Sequence, residues 1–139
     1  MSASSFRGIL PALLTPFDDG ERFAARPLEQ LLERVYSAGV HGVYVCGQTG
    51  EGLLQPVEQR KQVAEAVMRN TPAGKQVIVH TGAYRTADAV ELTRHASRLG
   101  VAAVSSLPPA GAYSYQEVRA YYAALAAAAG VPLLVYWFP

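Results

Sequence analysis

The chain has 139 residues, a hydrophobic content of 50% and a formal net charge of +1 at pH 7, which together predict one globular domain. This charge balance gives no basic surface of the kind that binds nucleic acid or an anionic membrane, so neither partner is expected. The sequence holds one cysteine, Cys46, which excludes an intrachain disulfide.

The sequence has no segment typical of a targeting signal or a membrane span. Residues 1–17 are interrupted by Pro11 and Pro16 and lack a signal-peptide cleavage site. No window approaches the ~18 consecutive apolar residues of a transmembrane helix. Because Cys46 lies in an apolar run and is predicted to be a buried, reduced thiol, we expect a cytoplasmic protein.

The first predicted elements are a strand and an amphipathic helix. Residues 9–14 are apolar and lead to a turn at 18–20, which is typical of a buried strand and its loop. Pro27 has the place of a first helical residue, and Gly39 that of a helix stop. Between them the apolar residues recur at helical spacing, at Leu28, Leu31, Leu32, Val35 and Tyr36.

The rest of the chain repeats this alternation of strand and helix. Thr86 is predicted to cap the third helix. Ser114 and Glu117 have the spacing of a capping box, which predicts the start of the fourth. The remaining strands are predicted at 40–46, 77–79, 101–107 and 131–138, and the remaining helices at 56–69, 86–99 and 114–129.

This pattern predicts an α/β fold with a parallel sheet. The units repeat every thirty residues or so, roughly the size of one βα unit, and the strands show little alternation, as in sheets covered by helices. Both a flavodoxin-like sheet and a TIM barrel fit. The regular repeat and the polar residues Thr15, Thr49, Thr81 and Tyr136 after strands favour the (β/α)8 TIM barrel. Since such a barrel has about 250 residues, we predict a single partial barrel domain over 1–139, with about five strands and four helices.

The stretch from Gly42 to Gly52 is a buried strand that opens into a glycine-rich loop. Gly47, Gly50 and Gly52 leave backbone amides accessible to a small anion, and Thr49 adds a hydroxyl donor. A helix immediately after the loop would strengthen anion binding. No Lys-Ser or Lys-Thr pair follows the glycines, which argues against a nucleotide-binding P-loop.

These residues resemble the superfamily of N-acetylneuraminate lyase and dihydrodipicolinate synthase, the pyruvate-dependent class I aldolases with TIM-barrel folds. The resemblance runs from Gly8 to the end of the chain. The motifs that carry it are Pro-Ala-Leu-Leu-Thr-Pro-Phe at 11–17, Gly-Gln-Thr-Gly-Glu at 47–51, Pro-Pro at 108–109 and Val-Tyr-Trp-Phe-Pro at 135–139.

The resemblance implies a role for each site residue. In this family a lysine on the sixth strand forms a Schiff base with pyruvate, and Tyr136 matches the tyrosine of the Tyr-x-x-Pro motif that transfers protons. Thr49 matches the residue that binds the pyruvate carboxylate, with Gly47, Gly50 and nearby amides completing the site. The implied partner is a small 2-keto acid, no cofactor or metal is expected, and the full-length protein is expected to be a homo-oligomer.

The sequence departs from the family pattern in three places. Gln48 stands where the family has a hydroxyl residue that relays protons to the tyrosine, and an amide cannot pass a proton in that way. Ala110-Gly111-Ala112 replaces paired tyrosines, for which Tyr113 or Tyr115 would have to substitute. The chain's lysines, Lys61 and Lys75, do not follow predicted strands and are expected to be solvated surface charges, so this chain is predicted not to form the Schiff base.

Two other functions stay open from the sequence. One is a catalytically silent half-barrel that binds a small carboxylate or a partner chain. The other is a flavodoxin-like fold that binds phosphate at residues 47–52.

His80 follows the third predicted strand, where sialic acid lyases tend to have histidine, but a buried structural histidine is the favoured interpretation.

Overall fold

The computed structural model describes residues 6–109, 111 and 113–137 of the chain. Four parallel strands form one sheet: β1 (Gly42–Val45), β2 (Gln76–His80), β3 (Ala103–Ser106) and β4 (Leu133–Val135). The helices are α1 (Ala25–Ser37), α2 (Val57–Arg69), α3 (Thr86–Arg98) and α4 (Tyr115–Ala128), with a short 3₁₀ helix at Gly52–Leu54. The predicted alternation of strand and helix is therefore confirmed.

The strand order separates the two fold classes that the sequence left open. The strands lie in the order β1-β2-β3-β4, the same as their order in the chain, and each helix packs against the next one. A flavodoxin-like sheet would place its second strand outside the first and would carry helices on both faces. The described residues therefore have the arrangement of a partial (β/α)8 barrel.

The first predicted strand, at 9–14, runs beside β1 without a continuous ladder. Leu13 N donates to Tyr44 O at 2.8 Å and Tyr44 N to Pro11 O at 2.9 Å, with one parallel bridge between Ala12 and Tyr44. Pro11 has no N–H to donate, which shortens the pairing. The described sheet thus has four named strands and an adjoining extended segment, where about five strands were expected.

Helix starts were predicted with mixed success. The Ser114 capping box is confirmed, since Ser114 N donates to Glu117 Oε2 at 2.7 Å and Glu117 N to Ser114 Oγ at 3.3 Å. The predicted cap at Thr86 is wrong, because Thr86 is already helical and Arg85 takes the cap position without a side-chain hydrogen bond. Helix α1 begins at Ala25, slightly before the predicted Pro27.

Successive side chains of each strand point to opposite faces of the sheet, and one face belongs to the hydrophobic core. Val43 and Val45 of β1 belong to the hydrophobic core with Leu28 and Leu32 of α1. Tyr44 lies between these valines and faces the opposite side, level with Ile78 of β2. Side chains on the helix side thus form the core, while those on the other side are left to line the interior of the partial barrel.

Gly42 permits a close approach between β1 and β2, and its replacement by alanine tests this packing. A Cβ at Gly42 would lie 2.1 Å from the Gln76 carbonyl oxygen, so β1 and β2 would have to separate. We expect Gly42→Ala to lower the free energy of unfolding by roughly 3 kcal/mol, measured by urea denaturation. Gly20→Ala is the control, because its Cβ would come no closer than 3.3 Å to a side-chain atom of Asp18. An equal effect of both substitutions would contradict this packing.

Candidate functional site

A cavity of about 690 Å³ opens on the inner face of the sheet. Gln48, Thr49 and Tyr136, three of the predicted site residues, lie in its wall. A second cavity of about 620 Å³ lies between α1 and the segment after α2, away from all of the predicted site residues. The other residues of the first cavity come from five neighbouring stretches: Leu10, Ala12, Tyr44, Ile78, Ser105, Leu134 and Val135.

The glycine loop is closed by two hydrogen bonds between its own backbone groups. Glu51 N donates to Gln48 O at 2.9 Å and Gly52 N to Gly47 O at 3.0 Å. Within the described part of the chain, the amides of Gln48, Thr49 and Gly50 have no hydrogen-bond acceptor. Gln48 and Thr49 border the cavity, whereas the predicted site residues Gly47 and Gly50 are buried and do not line it. Consecutive unpaired amides are suited to binding a small anion.

Crowding by a side chain and by the backbone explains two of the loop's glycines. A Cβ at Gly47 would lie 2.5 Å from Cε1 of Tyr44, and one at Gly52 would lie 1.8 Å from the carbonyl oxygen of Cys46. The loop leaves β1 through Cys46, whose φ of +57° is left-handed, and Glu51 has a similar φ of +53°. The next element is a short 3₁₀ helix, so the α-helix that would strengthen anion binding does not directly follow the loop.

Tyr44 is a cavity residue that the sequence did not single out. Its hydroxyl donates to Ser105 Oγ at 3.3 Å, and its ring meets the Tyr136 ring edge-on with the centroids 6.3 Å apart. Burial raises the pKa of Tyr44 above its usual value, so the phenol is protonated near neutral pH. A polar-tipped side chain between two buried valines was the available signal, because alternation puts it on the face opposite the core.

Tyr136 follows β4 at the carboxyl edge of the sheet. Its backbone N donates to Ser106 O at 2.9 Å, which continues the pairing of β3 with β4. The rest of its Tyr-x-x-Pro motif, Phe138 and Pro139, lies outside the described residues, as do Ala110 and Ala112. The structure therefore places the tyrosine of the motif, while the replacement for the paired tyrosines stays a prediction.

Arg60 is a buried cation near the site that the sequence analysis missed. Its guanidinium donates to His80 O at 2.7 Å and to Gly82 O at 2.8 Å. It thereby ties α2 to the carboxyl end of β2. The signal was present, because Arg60 takes the i position of an apolar stripe that continues through Val63, Ala64 and Val67.

His80 has the buried structural role that was favoured from the sequence. Its ring is 2% exposed, and its Nε2 accepts a hydrogen bond from Leu107 N at 3.2 Å. Burial, and then the nearby Arg60 charge, lower the pKa of His80 to about 4. The ring is therefore neutral at pH 7 and holds β2 to the loop after β3.

Cys46 is also buried, as predicted. Burial raises the pKa of its thiol to about 11, so no thiolate is available for chemistry near neutral pH.

Among the described residues, no group of three His, Cys, Asp or Glu side chains is arranged to hold a metal ion. Nor does the described part of the chain contain a helix with the length and apolar character needed to span a membrane.

Neither lysine borders the cavity. Lys61 Nζ pairs with Glu58 at 2.7 Å and also with Glu91 of α3, so the expected solvated charge is instead an ion pair between helices. Lys75 Nζ donates to Val40 O at 2.6 Å, before β2 begins. The cavity wall thus contains no amine from the described residues.

Comparisons with known proteins agree with the fold and with the motifs. A sequence profile described as "Dihydrodipicolinate synthetase family" matches residues 5–139. N-acetylneuraminate lyase of Rhizobium meliloti (strain 1021) is 37% identical over 133 residues, which are 95% of this chain and 44% of that protein. N-acetylneuraminate lyase of Shigella boydii serotype 4 is 36% identical over 139 residues, 99% of this chain and 47% of the relative.

Solved structures give the same result. A sialic acid aldolase from Ruminococcus gnavus superposes with a TM-score of 0.90 at 34% identity, over 95% of this chain and 44% of its own. N-acetylneuraminate lyase from Mycoplasma synoviae has a TM-score of 0.90 at 29% identity, over 96% and 47% of the two chains. The chain spans less than half the length of these relatives.

The neutral state of His80 predicts a pH dependence of stability. The pKa is lower in the folded protein than the usual 6.5, so the unfolded chain binds more protons between pH 6.5 and about 4. Stability must therefore fall as the pH falls through this window. Between pH 7 and pH 5 we expect a loss of about 2 kcal/mol in the free energy of unfolding, measured by urea denaturation.

His80→Gln is the control for this prediction. The glutamine side chain keeps an acceptor for Leu107 N but does not titrate. Its free energy of unfolding should change much less over the same pH range. If the variant loses as much stability as the unmodified protein, His80 is not the titrating group.

Proposed function

The chain belongs to the dihydrodipicolinate synthetase family, and from that premise we propose that it forms the N-terminal, pyruvate-binding part of a Schiff-base-forming lyase or aldolase. The substrate is pyruvate or a 2-keto acid derived from it, as in enzymes of the N-acetylneuraminate lyase or dihydrodipicolinate synthase type. One observation supports this most strongly. Gln48 and Thr49, whose amides have no acceptor among the described residues, border the same cavity as Tyr136.

The proposed carboxylate site is formed by the loop. The amides of Gln48, Thr49 and Gly50 are donors without an acceptor in the described structure, and the Thr49 hydroxyl is one more donor. A carboxylate accepts several such hydrogen bonds, and those to a charged acceptor are about twice as strong as neutral ones. Binding there would place the keto carbon of pyruvate in the cavity, on the side of Tyr136.

The proposed chemistry needs an amine that the cavity wall does not contain. In Schiff-base formation a lysine nitrogen bonds to the keto carbon and the keto oxygen leaves as water, after proton transfers that Tyr136 would serve. Lys61 and Lys75 are engaged elsewhere. We place the reacting lysine in the part of the relatives that this chain does not span, and this chain by itself is proposed to bind without turnover.

Gln48 favours a second candidate, a catalytically silent half-barrel that binds a small carboxylate or a partner chain. Its side chain lies in the cavity wall, where the family resemblance implies a hydroxyl that relays protons. An amide donates and accepts hydrogen bonds but does not pass a proton. This candidate shares the carboxylate site and differs in never forming the Schiff base. Cytoplasmic location and homo-oligomeric assembly stay predictions.

Replacing the Thr49 hydroxyl tests the carboxylate site. Thr49→Val removes one donor and keeps the shape of the side chain, so we expect pyruvate affinity to fall roughly tenfold, measured by titrating the backbone amide NMR signals of Gly47 and Gly50. Thr86→Val is the matched control, since Thr86 is also exposed but lies outside the cavity wall. Equal affinities of the two variants, or no binding by the unmodified chain, would reject the proposed site.

Borohydride reduction tests the assignment of the reacting amine. The 139-residue chain treated with pyruvate and borohydride should keep its mass, because neither lysine borders the cavity. Intact-protein mass spectrometry provides the measurement. A stable pyruvyl adduct on Lys61 or Lys75 would show that this assignment is wrong, and Lys61→Arg and Lys75→Arg would identify which lysine had reacted.

A further inference from the structure

The carbonyl of Gly50 receives hydrogen bonds from two buried side chains. Thr15 Oγ1 donates to Gly50 O at 2.8 Å, and Gln55 Nε2 donates to the same oxygen at 2.6 Å. Gln55 Nε2 is also 3.4 Å from Thr15 Oγ1. Thr15 and Gln55 are 8% and 9% exposed. We call this pair of side chains the Thr15–Gln55 clamp.

The clamp acts where the unpaired amides end. Gly50 is the last residue of the 48–50 run, and its carbonyl is turned away from solvent into the protein. Thr15 reaches it from the segment beside β1, and Gln55 from the end of the 3₁₀ helix. The glycine itself is pressed against that segment, because a Cβ at Gly50 would lie 2.8 Å from Leu13 O. Through this peptide the loop is thus tied to the segment beside β1.

Gln55 is present despite a cost to the fold. Its Oε1 is buried and has no hydrogen-bond partner among the described residues. A buried polar atom without a partner destabilises the folded state, and an apolar side chain of similar size would avoid that cost. What an apolar side chain would lose is the hydrogen bond to Gly50 O. The side chain is therefore suited to holding this carbonyl more than to filling space.

We propose that Thr15 and Gln55 are positioning residues of the carboxylate site. They hold the Gly50 carbonyl inward, which fixes the loop that carries the unpaired amides of residues 48–50 before any ligand binds. A site whose donors are already in place loses less free energy to ordering when the anion arrives. This inference rests on the proposed binding of pyruvate by the same loop.

The test compares two buried threonines in the full 139-residue chain. Thr15→Val removes one donor to Gly50 O without changing the shape of the side chain. Thr93→Val is the matched control, because Thr93 is fully buried and its hydroxyl pairs with that of Thr81 at 2.9 Å, away from the loop. Pyruvate affinity is measured by NMR titration, and stability by urea denaturation.

Thr15→Val is expected to weaken pyruvate binding about tenfold, while Thr93→Val changes it by less than about twofold. Thr15→Ser, which keeps the hydroxyl, should restore binding to within about threefold of the unmodified chain. Hydrogen exchange of the Thr49 and Gly50 amides without ligand should speed up in Thr15→Val and stay unchanged in Thr93→Val. If Thr15 had only a structural role, the loss of pyruvate affinity would follow the loss in free energy of unfolding in both Thr15→Val and Thr93→Val.

Gln55→Met is the second variant, used in case Thr15→Val does not fold. It removes the other donor and keeps an unbranched side chain of similar length, and the same loss of affinity and faster exchange are expected. If the unmodified chain binds pyruvate and neither clamp variant weakens binding more than Thr93→Val, the positioning role is overturned and the proposed function stands. If the unmodified chain does not bind pyruvate, the proposed function and this inference are both rejected.

Discussion

The parallel register of the strands decides which side chains reach the cavity. Tyr44 of β1 pairs with Ile78 of β2, and Ser105 of β3 pairs with Leu134 of β4, so these residues share one face. Since side chains alternate along a strand, a shift of one residue would replace the tyrosine with a valine of the core. The glycine loop depends on the same register, because it begins where β1 ends.

Buried polar groups then fix the carboxyl edge of this sheet. Arg60 holds the carbonyls of His80 and Gly82, and His80 in turn accepts from Leu107 after β3. Among the described residues, Arg60 is in no salt bridge with a carboxylate, so carbonyl oxygens supply its hydrogen bonds. Burial, together with this positive charge, keeps the neighbouring imidazole neutral. Helix α2 is therefore joined to the carboxyl end of β2 through this cation. It is joined to β1 through the glycine loop that precedes it.

Sequence patterns predicted features that depend on neighbouring residues in the chain. They missed side chains whose role depends on hydrogen-bond partners in another element. The capping box at Ser114 and Glu117 forms within one helical turn. The family motifs pointed to Thr49 and Tyr136, which the structure brings to one cavity, while their roles stay predictions. Arg60 was missed because its hydrogen-bond acceptors lie on another element, far along the chain. Thr86 was misplaced by one residue, because helix α3 already includes it and Arg85 takes the cap position without a side-chain hydrogen bond. Tyr44 was passed over as one more apolar residue of a strand.

The crowding around the loop glycines also restricts where this site is able to evolve. Alanine at Gly47, Gly50 or Gly52 would collide with Tyr44, Leu13 or Cys46, so each substitution would force a neighbouring group to shift. Gln48 is exposed, and its side chain makes no hydrogen bond to a described residue. Position 48 is therefore open to substitution without loss of a hydrogen bond to the described residues. A substitution there would change the chemistry beside the cavity and leave the backbone of the proposed anion site as it is.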